Sequence, residues 1–134
     1  MSSAVIITLS LHALAAVYWA GSTFVLARDP QLSAFTLFRP QMGAAVIVVL
    51  TGAYLWHLLH EGGFGPVEQV LAVGALCALV AAGIQGALVG GARRRLAAGQ
   101  IADAEAIRRI ALGERIAAAL LAVALICMVS ARYV

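Results

Sequence analysis

Leu11-His12-Ala13-Leu14-Ala15-Ala16-Val17-Tyr18-Trp19-Ala20-Gly21 places an ionisable imidazole inside an apolar run long enough to cross a bilayer. An ionisable side chain at membrane depth is costly, so His12 marks a functional position and calls for a partner elsewhere in the chain. The surrounding composition fixes the class of protein. Of 134 residues, 63% are hydrophobic and 11% charged, and the mean hydropathy is +1.00. A chain of this length and character has room for about four spanning helices of roughly 20 residues each. Four apolar runs fit, at about 4–26, 41–60, 67–92 and 110–131. The expected fold is all-α: an integral membrane antiparallel four-helix bundle, forming a single domain over 1–134.

The first run lacks a basic leader and is longer than a signal-peptide core, so it is read as a mature helix. Cys77 and Cys127 fall in apolar segments of different helices, which argues against a secreted disulfide framework. Charge placement sets the expected orientation. Arg93, Arg94, Arg95, Arg108 and Arg109 lie between the third and fourth runs, and Arg28 and Arg39 between the first and second. The connection between the second and third carries no arginine. By the positive-inside rule both arginine-bearing connections are cytoplasmic, and both termini and the 61–68 loop face the periplasm of a bacterial inner membrane. The net charge of +3 is thus a topology signal. It points to a lipid bilayer with anionic headgroups and not to nucleic acid.

Along the chain, His12 and Trp19 are seven residues apart and share a helix face with Ala16 and Ala20, a face expected to turn inward. Arg28-Asp29-Pro30 stops the span. The connector 31–40 reads as a loop or brief amphipathic turn, with Phe35 and Phe38 at the interface beside Arg39. In the second helix Tyr54, His57 and Glu61 share one face, while Trp56 and His60 share the neighbouring one; Glu61 is placed to orient His57. Gly62-Gly63-Phe64-Gly65-Pro66 is a tight turn that makes the second and third helices antiparallel neighbours. Gly74, Ala78, Ala82, Gly86 and Gly90 recur at four-residue intervals, a packing stripe of small residues. Gln85 is expected to hydrogen-bond to another helix. Asp103, Glu105, Arg108 and Arg109 read as a solvated helical entry with ion pairs. Glu114 and Arg115 are expected in the first turns of the last helix, near the surface, pairing or snorkelling.

With these spans, His12 lies about 12 Å and His57 about 6 Å from the non-cytoplasmic ends of their helices. Cys127 and Met128 lie at comparable depth. Cofactor sites in four-helix bundles form between facing helices, so this half is the expected site. Two chemistries suit the donors. In one, His12 and His57 ligate a haem b edge-on between helices, with Trp19, Tyr54 and Trp56 against the macrocycle. In the other, His12, His57 and His60 with Cys127 and Met128 bind copper, since imidazole, thiolate and thioether are ligands that Cu(I) prefers. A third reading is a structural subunit of a larger membrane complex or homo-oligomer, packed through the small-residue stripe.

Leu11-His12, Ala15-Ala16-Val17, Trp19, Gly21, Arg28 and Pro30 together resemble the first helix of the copper-resistance D (CopD-like) membrane proteins. Leu96-Ala97-Ala98-Gly99-Gln100, Ile107-Arg108-Arg109-Ile110 and the closing Arg132-Tyr133 resemble the short four-helix members of that group over nearly the whole chain. The first helix is also similar to that of HemJ-type protoporphyrinogen oxidases, which bind haem through a histidine there. The resemblance implies His12 as the matching haem ligand. As mechanism, the haem is expected to pass single electrons between a membrane quinol and a periplasmic or protein acceptor, with His12 and His57 as axial ligands, which would make the protein a membrane oxidoreductase. Short CopD-like members often carry a histidine near the start of helix 3, where this chain has Val67-Glu68-Gln69-Val70-Leu71. HemJ-type enzymes use a lysine, and this chain has none, so the oxidase activity is not implied.

Overall fold

In the computed structural model, which describes residues 2–30 and 34–134, those at 34 and 35 by backbone alone, the chain runs through four long helices, and no strand occurs among the described residues. Helix α1 spans Ser3–Arg28 and α2 Ala34–Leu59. The third span is composite: α3 (Pro66–Ile84), a π-helical turn (Gln85–Val89) and α4 (Gly90–Ala97). The fourth is α5 (Asp103–Ser130), closed by a short 3-10 turn, Ala131–Tyr133. All four spans are long and apolar enough to cross a membrane, which fits a multi-pass membrane protein.

Local chemistry explains the ends. The Ser2 hydroxyl caps α1 by accepting from Val5 N–H at 3.4 Å. Pro66 occupies the first turn of α3, and Glu68 Oε2 accepts from Gly65 N–H at 2.9 Å. After α4 the chain turns at Gly99, with φ +71°; Gly99 N–H bonds to the Leu96 carbonyl and Gln100 N–H to the Arg95 carbonyl. That is a Schellman closure, which needs the left-handed conformation that glycine adopts without a Cβ penalty. Gly99→Ala is expected to lower stability by about 1 kcal/mol, read by chemical unfolding in detergent micelles. An unchanged unfolding midpoint would contradict it.

Two helices are longer than hydropathy suggested. The connector placed at 31–40 is helical from Ala34 onward, carrying Pro40 in the second turn, where only one backbone hydrogen bond is lost. Residues 31–33 and the side chain of Phe35 lie outside the described set. Helix α5 begins at Asp103 and not near 110, because its polar first turns are stabilised as a helix. Glu105 bridges Arg108 and, at 3.0 Å, Arg109, as the spacing predicted.

The interior is built of small residues. Ala15, Ala44, Ala45, Ala78, Ala81, Ala117 and Ala124 form the main core with Trp19, Val48 and Leu121. Ile7, Leu14, Val17, Leu50, Leu76 and Ile126 face outward. Alanines inside and large aliphatics outside is the pattern of helices packed in lipid, where backbone approach drives association. Gly74 shows this directly: a Cβ there would lie 2.9 Å from Cys127 Cβ on α5. The small-residue stripe packs in part. Gly90 receives the Phe38 ring, over which Arg93 stacks at 5.6 Å, but Gly86 meets nothing within 4 Å. The π-turn between Ala82 and Gly90 shifts the face of the helix, so the four-residue register does not carry through it.

Helix α1 packs along α2 and α5, and α3 packs along α5. The short 60–65 loop joins α2 to α3, yet these two helices meet only sparsely, contrary to the close neighbours the turn implied. The close approach at Gly74 draws α3 toward α5, leaving an open seam between α2 and α3.

Candidate functional site

His12 sits on α1 at the floor of this seam. A cavity of about 240 Å³ opens there, lined by His12, Gly52, Ala53, Trp56, Ala78 and Met128 among others. A second, of about 220 Å³, continues along the same seam between Val46 and Ala82, sharing Val49 with the first. Together they make an apolar groove headed by one imidazole.

The imidazole is held in a defined tautomer. His12 Nδ1 lies 2.9 Å from Thr51 Oγ1, and the Thr51 hydroxyl donates to the Ile47 carbonyl at 2.5 Å. With its proton committed to a carbonyl, Thr51 Oγ1 can only accept, so Nδ1 carries the hydrogen and Nε2 the lone pair. The Val48 backbone is a further hydrogen-bond partner of the ring, and the one side-chain hydrogen bond of His12 among the described residues is made through Nδ1. Gly52 makes room for the ring: a Cβ there would come 3.2 Å from His12 Cε1. A histidine oriented by a hydroxyl at Nδ1 could offer its other ring nitrogen to a metal.

The other expected site residues divide. Trp56 and Met128 line the cavity with His12. His57 is exposed and does not line it; five residues beyond Gly52, it stands about 140° around α2. Tyr54 is 46% exposed. His60 is turned to the loop, 3.9 Å from Glu68 Oε1 and with its ring 5.1 Å from that of Trp56. Cys127 packs against Gly74. Among the described residues no group of three His, Cys, Asp or Glu is close enough to hold a metal ion.

No protein-family model matches the chain, and no curated protein or solved structure matches it.

Trp19 is nearly fully buried and belongs to a different cluster, which sequence reasoning missed. Its Nε1–H donates to Gln85 Oε1 at 2.7 Å. Gln85 Nε2 donates to Thr23 Oγ1 at 2.9 Å and to Glu114 Oε2 at 3.0 Å. Gln41 Nε2 makes the same two contacts, at 3.0 and 3.2 Å. Thr23, Gln41, Gln85 and Glu114 are each 0% exposed. The expected hydrogen bonding of Gln85 to another helix is present, to two helices at once. Glu114 does not pair or snorkel with Arg115, whose Nε donates to the Ala27 carbonyl at 3.2 Å. With α5 starting at Asp103, Glu114 is three turns inside the helix. The signals that were available are the run Gly83, Gly86, Gly90 and Gly91 around the π-turn, and a lone carboxylate followed by an apolar span.

Proposed function

We propose that the protein is a multi-pass membrane haem b protein of the CopD-like kind, in a bacterial inner membrane, that passes single electrons to or from a quinone. The reading is supported chiefly by His12: an imidazole oriented at Nδ1 by Thr51 at the head of a lipid-accessible apolar groove. The donor set suits haem. His12 would offer a ring nitrogen to the iron, while Gly52, Ala53, Ala75 and Ala78 leave space and Trp56 and Leu79 provide apolar walls. Each cavity is smaller than the roughly 300–1,000 Å³ that encloses a drug-sized molecule. A macrocycle would therefore need the α2–α3 seam beyond the cavity that His12 lines.

Haem, when bound, supplies a one-electron couple whose potential is set by its axial ligands and surroundings. The chain's own residues do the rest. Thr51 holds the His12 ring at Nδ1, Trp56 and Leu79 give the cavity apolar walls, and Met128 lines the same cavity. Met128 shares that cavity with His12 where His57 does not, so a second ligand to the iron would come from the Met128 thioether before His57. Of the five residues expected to bind copper, His12 and Met128 line one cavity, and His57, His60 and Cys127 do not line it.

The protein purified in mild detergent with added haem is expected to give a reduced-minus-oxidised visible spectrum with b-type Soret and alpha bands. No such bands after supplementation would contradict the reading, and stoichiometric copper in their place would favour the copper alternative.

A further inference from the structure

The Trp19–Thr23–Gln41–Gln85–Glu114 cluster draws one side chain or more from every span and lies between two apolar layers. On one side is the alanine-rich core, and on the other Leu26, Val89, Ala92 and Ile110. Its donors and acceptors do not balance. Trp19 Nε1–H, both Gln85 amide hydrogens, both Gln41 amide hydrogens and the Thr23 hydroxyl, which bonds to the Trp19 carbonyl at 2.7 Å, are all used. What remains is acceptors only: Gln41 Oε1 and Glu114 Oε1 are buried without a hydrogen-bond partner.

Rotating the Gln41 amide does not repair this. It would turn Oε1 toward Thr23 Oγ1, whose hydrogen is committed, and toward Glu114 Oε2, another acceptor. Nor does a cation of the protein answer the carboxylate. α1 presents Trp19 and Thr23, α2 presents Gln41, and the third span presents Gln85. Arg115, the next residue on α5, turns to the Ala27 carbonyl, and no ion pair to Glu114 occurs among the described residues. An ionised carboxylate with no cation, sealed between apolar layers of a membrane bundle, is heavily penalised. A network of spent donors and orphaned acceptors lacks one hydrogen.

We propose that this cluster is a proton-binding site within the membrane, in which Glu114 Oε1 carries the proton and Gln41 Oε1 accepts it in a hydrogen bond. Uptake forms one O–H bond on the carboxylate and makes the site neutral; release returns the proton to water and leaves a carboxylate still held at Oε2 by the two glutamine amides. The amides therefore serve both states, and the π-turn at Gln85–Val89 places one of them. Such a site supplies the proton that must accompany charge movement in a low-dielectric interior. It does not depend on whether His12 binds haem.

The test is infrared spectroscopy of the full chain in lipid nanodiscs. At neutral pH the expected spectrum contains the carbonyl stretching band of a protonated carboxylic acid, shifted in heavy water and by carbon-13 glutamate, and lost in Glu114→Gln. In Gln41→Met the band moves toward the frequency of an acid without an acceptor, a change that a purely structural role for Gln41 would not produce. If Glu114→Gln fails to fold, the isotope-edited band of the unaltered chain still decides, because Glu61 is exposed and Glu68 and Glu105 are only partly covered. Absence of the band in the unaltered chain overturns the proposal. So does its persistence in Glu114→Gln, or its replacement by an ionised signal on adding sodium, which would make the site a cation site.

Discussion

His12→Ala is expected to abolish haem binding, Thr51→Val to weaken it by about 10- to 100-fold, and His57→Ala to leave it intact. These three results, read by haem titration of the purified proteins, separate the imidazole that heads the groove from the one that shares its depth. In the proposed site His12 would give the iron its Nε2 lone pair, so its loss would remove the bond to iron itself. Thr51 acts through His12 alone: valine keeps the shape but removes one of the ring's two hydrogen-bond partners and leaves the Val48 backbone, so the tautomer and orientation are held less firmly. His57 stands exposed on another face of α2. His12→Gly, which leaves a hole beside Gly52, is expected to recover haem when imidazole is added. Haem retained in His12→Ala would remove the basis of the proposed site, and haem lost in His57→Ala would require α2 to rotate on binding.

Gln85→Leu is the substitution expected to cost most in stability. It strands the Trp19 indole N–H and withdraws a donor from Glu114 and from Thr23, all fully or nearly fully buried. A buried group left unpaired costs roughly 1–3 kcal/mol, whereas hydrogen bonds between membrane helices average about 0.6 kcal/mol because the unfolded helices find other partners. Three affected groups then sum to about 2 kcal/mol. Unfolding in mixed micelles measures it, with Gln69→Leu on the exposed face of α3 as the control expected to change little. Equal midpoints for the two variants would mean that the cluster contributes no stability.

Hydropathy was sufficient to locate the four spans, since each is a long apolar run and lipid admits few other structures. It could not place their polar ends. Asp103 to Arg109 is too charged to count as a span, yet its i, i+3 and i+4 pairs make it helix; moving the start of α5 to Asp103 carries Glu114 from the surface into the interior. His12 was legible because a histidine inside an apolar run is rare. Thr51 was not, because a hydroxyl in a membrane helix ordinarily bonds to its own preceding turn, as Thr51 also does. Depth along the helix put His57 beside His12, but rotation about α2 separates them. The α2–α3 seam was hidden for a similar reason. A short loop makes helices consecutive, while the tight fit of Gly74 against Cys127 on α5 decides which helix α3 packs on.

The central claim is that His12 Nε2 is a ligand to the haem iron. Electron-nuclear double resonance of the oxidised haem-loaded protein, with nitrogen-15 in its histidines alone, tests that bond directly. The account predicts hyperfine coupling to the imidazole nitrogens of one histidine, unchanged in His57→Ala and absent in His12→Ala. Coupling that survives in His12→Ala, or no histidine coupling in the unaltered protein, would contradict it.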